Sequence, residues 1–263
     1  LIVNSSTRIN QEKARKLVAA NQASASDLPA LLHETDPDIL ATLLRNHNLE
    51  EEHLLVLLKR RDLPPEIPTL IHKRHFQHPS RPLLLALAGN NATSGHLLRQ
   101  LLPLLRLFEL VNLCYLPGVT PDQRMAAERT ILQRLPTTPL GNKMTLARRA
   151  TPTVVAELLQ EGDPATFEIC LNSPRLKEAA VFQFLKSARA NAATLSMVAR
   201  HSRWNQRPNL RMAILKNSRC PDIWFHLWLP KLTVATLHQL LAGRQLPASQ
   251  KKLLQQQLKL RGG

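Results

Sequence analysis

Aromatic side chains make up only 4% of the 263 residues, glycine occurs 8 times and cysteine 3 times. Each shortage excludes something. Sheets are usually built from β-branched and aromatic residues, and a leucine-dominated chain poor in both disfavours them. Cys114, Cys170 and Cys220 stand far apart and form no CxxC. So odd and sparse a set excludes a disulfide framework and fits a reducing compartment, the cytoplasm. No GxGxxG, P-loop, GxSxG or HExxH occurs, so nucleotide binding and the common hydrolase chemistries lack their motifs. No cofactor is implied. A membrane span is not expected either, because no apolar run reaches the roughly 18–20 residues it needs. The nearest, 97–116, is cut by Arg99, Arg106 and Glu109. The first residue is leucine, so the sequence reads as a piece of a longer chain whose targeting signal would lie outside it.

The most informative shortage is of acid. Residues 1–178 hold 21 Lys/Arg against 18 Asp/Glu, whereas residues 179–263 hold 14 Lys/Arg against Asp222 alone. Of the net charge of +16, the last third thus carries +13. Charge asymmetry of this kind bears on partners rather than on fold. Lys186, Arg189, Arg200, Arg203, Arg207, Arg211, Lys216 and Arg219 fall within 34 residues without an acid among them. A solvated face normally mixes signs, and arginine, the better fork for phosphate and carboxylate, outnumbers lysine here. The bland reading is an Arg-rich bacterial protein with no special partner. The sharper one is a basic surface of Arg189, Arg200, Arg203, Arg207, Arg211, Lys216 and Arg219. Trp204 reads as exposed beside them and available for base stacking. An acidic protein or a nucleic acid is then the expected partner, bound with strong salt dependence.

What is present is helical punctuation. Leucine-rich stretches of about three turns alternate with polar breaks, and the 19 prolines sit where short helices would begin. Asp36-Pro37, Thr120-Pro121, Thr151-Pro152, Asp163-Pro164 and Ser173-Pro174 each pair a capping side chain with proline at the first helical position. "NLEEEHLLVLLKRR" places Glu50 to Glu52 in a first turn and Lys59, Arg60 and Arg61 in a last one, as the helix dipole favours. A dozen or more helices are expected. Asn46, Asn90, Asn172 and Asn217 each end a short apolar segment and serve as repeat anchors, 44 and 45 residues apart within the two pairs. "RPLLLALAGN" (81–90) and "RPNLRMAILKN" (207–217) match with a one-residue gap. "RLPTTPLGNK" (134–143) is the candidate hinge.

"ILKNSRCPDIWFHLW" and "LAGNNATSGHLLRQLL" resemble the leucine-rich repeat variant and HEAT-like α-solenoid proteins of bacteria. The resemblance implies an all-α, α-α superhelix, a single solenoid over 1–263, used as a binding surface. The family's proline directly after asparagine is absent at all four anchors. Its N-terminal cysteine-bound iron–sulfur cluster is not implied, because no cysteine precedes Cys114.

Two constellations have chemistry to weigh. His72, His75 and His78 recur at helical spacing, but no acid or cysteine completes a metal shell, so they read as surface or cap histidines. "CPDIWFHLWLP" joins Trp224, Trp228 and His226 to Asp222. The similarity in plan to HEAT-like DNA glycosylases would make Asp222 an acid in a basic concave groove. The competing reading makes the tryptophans core residues and Asp222 a helix-start acid. The leading expectation is a non-enzymatic interaction scaffold, with the glycosylase-like enzyme as the alternative.

Overall fold

The computed structural model describes residues 2–75, 79–243 and 246–262, with side chains from residue 11 onward and that of His75 excepted. Among the described residues every regular element is a helix. The chain separates into two compact units, Leu1–Arg134 and Leu135–Gly263.

The first unit contains α1 (Ile2–Gln22), α2 (Leu28–Leu31), α3 (Pro37–Leu43), α4 (Glu51–Leu57), α5 (Glu66–His75), α6 (Arg81–Gly89), α7 (Gly95–Leu101), α8 (Leu107–Leu113) and α9 (Pro121–Arg134). The second contains α10 (Leu140–Arg149), α11 (Pro152–Glu161), α12 (Pro164–Asn172), α13 (Glu178–Lys186), α14 (Ala192–Arg200), α15 (Ser202–Asn205), α16 (Pro208–Lys216), α17 (Asp222–Trp228), α18 (Val234–Leu241) and α19 (Ala248–Lys259). Helices two places apart pack together repeatedly, as α1 on α3, α4 on α6, α11 on α13 and α12 on α14. This is the contact pattern of an all-α helical repeat, in which neighbours bury one another's apolar stripe. Leu40, Leu57, Ile67 and Leu87 are fully buried in the first unit. Phe167 and Phe184, ring centroids 4.7 Å apart, are fully buried in the second.

Most of the helix starts read from the sequence are where the chemistry puts them. Asp36 accepts the backbone N–H of Asp38 at 2.9 Å, and Asp163 accepts those of Ala165 and Thr166, both at 3.1 Å. Thr120 and Gln123 cap one another reciprocally, at 2.8 and 3.2 Å. Two starts differ. Pro152 opens α11, but the Thr151 hydroxyl is buried and makes no hydrogen bond. Ser173-Pro174 opens no helix: Ser173 closes α12, its carbonyl accepts Leu176 N–H in a turn, and α13 waits until Glu178. Lys59, Arg60 and Arg61 likewise fall beyond α4, which ends at Leu57.

The two units share one internal plan, and six of its helix starts recur at a single step. Pro37 to Pro164 is 127 residues, and the starts of α3, α4, α6, α7, α8 and α9 map by that step onto α12, α13, α16, α17, α18 and α19. The α5 to α14 step is one residue shorter. The polar ties obey the same step. Lys16 pairs with Glu34 at 3.0 Å and Lys143 with Glu161 at 2.8 Å. Arg134 reaches the carbonyls of Pro103 and Leu105, and Arg261 those of Pro230 and Leu232. Leu49 N–H closes a turn on Asn46 as Leu176 does on Ser173, each at 3.2 Å. Asn46 therefore corresponds to Ser173, not to Asn172, so the second pair of anchors is Ser173 and Asn217, 44 residues apart like Asn46 and Asn90.

Candidate functional site

The basic stretch is best read one side chain at a time. Arg203, the second residue of α15, reaches back with both terminal nitrogens, to the carbonyls of Ser173 at 3.0 Å and Leu176 at 2.9 Å. Its guanidinium also lies 4.2 Å from the Trp204 ring centroid. Arg219 holds the carbonyl of Ala190 at 2.8 Å and that of Ala188 at 2.5 Å. Arg189 holds that of Gln160 at 2.9 Å, and Arg211 binds the carbonyl and side chain of Asn205. These acceptors lie at or just beyond helix ends, where carbonyls left without an intrahelical partner carry partial negative charge. One planar fork can span two of them, which an ammonium cannot do as well. Four of the expected contact arginines are thus structural ties, which keep their charge but are held to the backbone.

Trp204 corrects the sequence expectation outright. It is 1% exposed, and its indole N–H donates to the carbonyl of Leu171 at 2.9 Å. The short α15 packs on α14 and α16, and the buried ring offers no face to a base. The polar residues around Trp204 gave the wrong impression because the buried ring's one polar atom is satisfied by the α12 end.

The remaining cations divide differently. The Arg207 Nε lies 3.7 Å from Glu178, an exposed and loose ion pair. Arg200 and Lys216 are exposed in the last turns of α14 and α16 and have no partner among the described residues. Lys186 ends α13 and sits 4.3 Å over the Phe182 ring.

Lys186, Lys216 and Arg219 line one groove of about 1080 Å³ between α13 and α16, with Gln239 of α18 at its side. Leu185, Met212 and Ala213 give it an apolar floor, and no acidic residue lines it. The site is thus a partly apolar cleft rimmed by cations, able to take a carboxylate or phosphate beside an aliphatic group. Of the sequence-predicted residues only Lys216 and Arg219 belong to it. Met212, Asn209 and Phe182 were missed; their only signal is their place on the same helices as the two lysines.

The other chemical readings find no common site. Asp222 is exposed in the first turn of α17, outside the groove lining. Trp224 and Trp228 are 8% and 6% exposed, their rings 5.2 Å apart, with the Trp224 N–H on Ser196 Oγ at 3.0 Å. Both are core residues, and the joint exposure of Asp222 and Trp228 that a glycosylase-like groove needs is not found. No group of three or more metal-ligating side chains gathers among the described residues. His72 ends up half-buried on α5, the His75 side chain is not described, and His78 lies outside the described residues. The three thiols are buried and unpaired. Burial pushes Cys114 up to about 11 and Cys170 and Cys220 up to about 12, the opposite of an activated nucleophile. Among the described residues no helix is long and apolar enough to cross a membrane.

No family model, curated protein or solved structure matches the chain.

Proposed function

We propose that the protein is a non-enzymatic interaction scaffold whose C-terminal unit receives an acidic protein segment in the groove between α13 and α16. The observation that supports the reading is the lining of that groove: three cations, an aliphatic floor and no acid. A peptide of alternating acidic and aliphatic side chains complements both features at once, with charge setting the encounter and the floor holding the anchor. A nucleic acid fits less well. Trp204, Trp224 and Trp228 are buried, so none offers a stacking platform. Arg189, Arg203 and Arg211, outside the groove, are held against carbonyls, which restricts them as contacts along a phosphate backbone. Three unpaired thiols suit a reducing compartment such as the cytoplasm.

The test is fluorescence anisotropy of the whole chain with a labelled glutamate–leucine peptide, and with labelled DNA and RNA, single- and double-stranded, across a salt series. The peptide should bind, weaken with salt, and lose about tenfold or more in affinity in the Lys186→Glu, Lys216→Glu double variant. No peptide binding near physiological salt overturns the reading. Tighter binding of any nucleic acid than of the peptide replaces it with a nucleic-acid scaffold.

A further inference from the structure

We infer that the chain carries a second groove of the same kind in its first unit, between α4 and α6, so that one chain holds two acidic segments. This rests on the reading of the α13–α16 groove just given. A cleft of about 550 Å³ opens between α4 and α6. Ten of the thirteen residues that line it fall, after the 127-residue step, on residues that line the α13–α16 groove. Two clefts at unrelated places in two units would not share a lining register. These do at ten positions.

The shared positions explain the shared shape. Lys59 corresponds to Lys186, each exposed just at or past the end of its helix. Ala86 corresponds to Ala213 on the floor, and Leu85 to Met212, so both floors are small in the middle and aliphatic beside it. Asn90 corresponds to Asn217. Each uses its side-chain amide on the carbonyl just before the lysine, Leu58 or Leu185, both at 2.8 Å. That bond fixes the wall that presents the lysine, and it is made twice.

The differences predict how the two grooves divide their work. Gly89 stands where the second unit has Lys216, and a side chain there would meet Leu116 at 3.1 Å. That corner of the first groove is closed by a leucine rather than by a cation. Gly118, with a φ of 93°, lets the Arg61 side chain lie close across the same wall, its Nε 3.2 Å from where a Cβ would stand. Arg60 is occupied by Asp62 and by the carbonyl of Glu34 at 2.7 Å. Lys59 and Arg61 are left to face an anion in a smaller, more aliphatic cleft. The first groove therefore takes an acidic segment with a smaller apolar anchor than the second.

Isothermal titration of the whole chain with the same glutamate–leucine peptide tests this. Two peptides should bind per chain. Lys186→Glu with Lys216→Glu should leave one, and Lys59→Glu should leave the other. Circular dichroism of each variant separates lost binding from lost fold, and Arg61→Gln supplies a milder change in the first groove. One peptide per chain, abolished by the Lys186 and Lys216 changes and untouched by Lys59→Glu, overturns the second site and leaves the proposed function standing. Two peptides that both survive Lys59→Glu also overturn it. Absence of any binding overturns both readings together.

Discussion

The side-chain amide of Asn90 donates to the carbonyl oxygen of Leu58 across 2.8 Å, joining the end of α6 to the end of α4. The same nitrogen also reaches the carbonyl of Arg60 at 2.9 Å, while Oδ1 accepts the N–H of Ala92 at 2.9 Å. Asn90 is 4% exposed, so its loss leaves buried backbone acceptors without a partner. Asn90→Ala should destabilise the chain by about 1–3 kcal/mol, and Asn90→Asp by at least as much, because a carboxylate cannot donate to carbonyls. Asn217→Ala, at the half-buried counterpart with one carbonyl bond, should cost less, about 1 kcal/mol. Urea unfolding of the three variants checks the order.

Arg203 and Arg200 are three residues apart in a stretch that reads as uniformly basic, yet their roles differ. Arg203 binds two carbonyls and covers the Trp204 ring. Arg200 is exposed in the last turn of α14, without a partner among the described residues. Arg203→Ala should lower stability by about 1.5–3 kcal/mol, the range for hydrogen bonds to a charged group. Arg200→Ala should stay within about 0.5 kcal/mol of the parent. Equal effects in guanidinium denaturation would mean that the carbonyl ties contribute nothing.

His201 gives the fold a pH dependence near neutrality. Its Nδ1 accepts the N–H of Arg203 at 3.2 Å, and Nε2 lies 3.2 Å from the Asn172 side-chain oxygen. Burial, with the Arg203 guanidinium beside it, holds the imidazole below its usual value of 6.5. A depressed folded value means the unfolded chain binds the proton first. The contribution is therefore complete above about pH 6.5 and fades as pH falls through the lower folded value. Stability measured between pH 8 and pH 5 should drop on the acid side, and His201→Asn, which keeps a capping acceptor, should flatten that drop. A His201→Asn profile parallel to the parent's would assign the drop to other groups.

The helical class was legible because its signals are local. Capping by Asp36, Asp163 and Thr120 depends on residues two or three positions away, and the leucine spacing depends on the neighbouring turn. The duplicated plan was nearly legible. Asn90 and Asn217 are true counterparts, but the counterpart of Asn46 is Ser173, whose side chain lacks the amide, and the asparagine one residue before it, Asn172, offers a false anchor. The apparent one-residue gap between 81–90 and 207–217 arose in the same way, from aligning Arg-Pro with Arg-Pro; without a gap Arg81 meets Pro208. The roles of Arg203, Arg219 and Trp204 were not legible. Their partners are main-chain carbonyls 29 to 33 residues upstream in the case of Arg219 and Trp204, and 27 and 30 for Arg203. A carbonyl has no letter in the sequence, so an arginine bound to one looks the same as an arginine waiting for a ligand.

These ties have a direction. Arg60, Asn90, Gln123, Arg134, Arg203, Asn217, Arg219, Gln250 and Arg261 all donate to carbonyls earlier in the chain. Arg81 and Gln160 point the other way. A polypeptide is made from its N-terminus, and domains generally fold in that order during synthesis. Each clasping side chain therefore leaves the ribosome after the helix end that will receive it has already been translated. The molecule can ratchet shut behind its own synthesis, with few donors waiting for a partner not yet made.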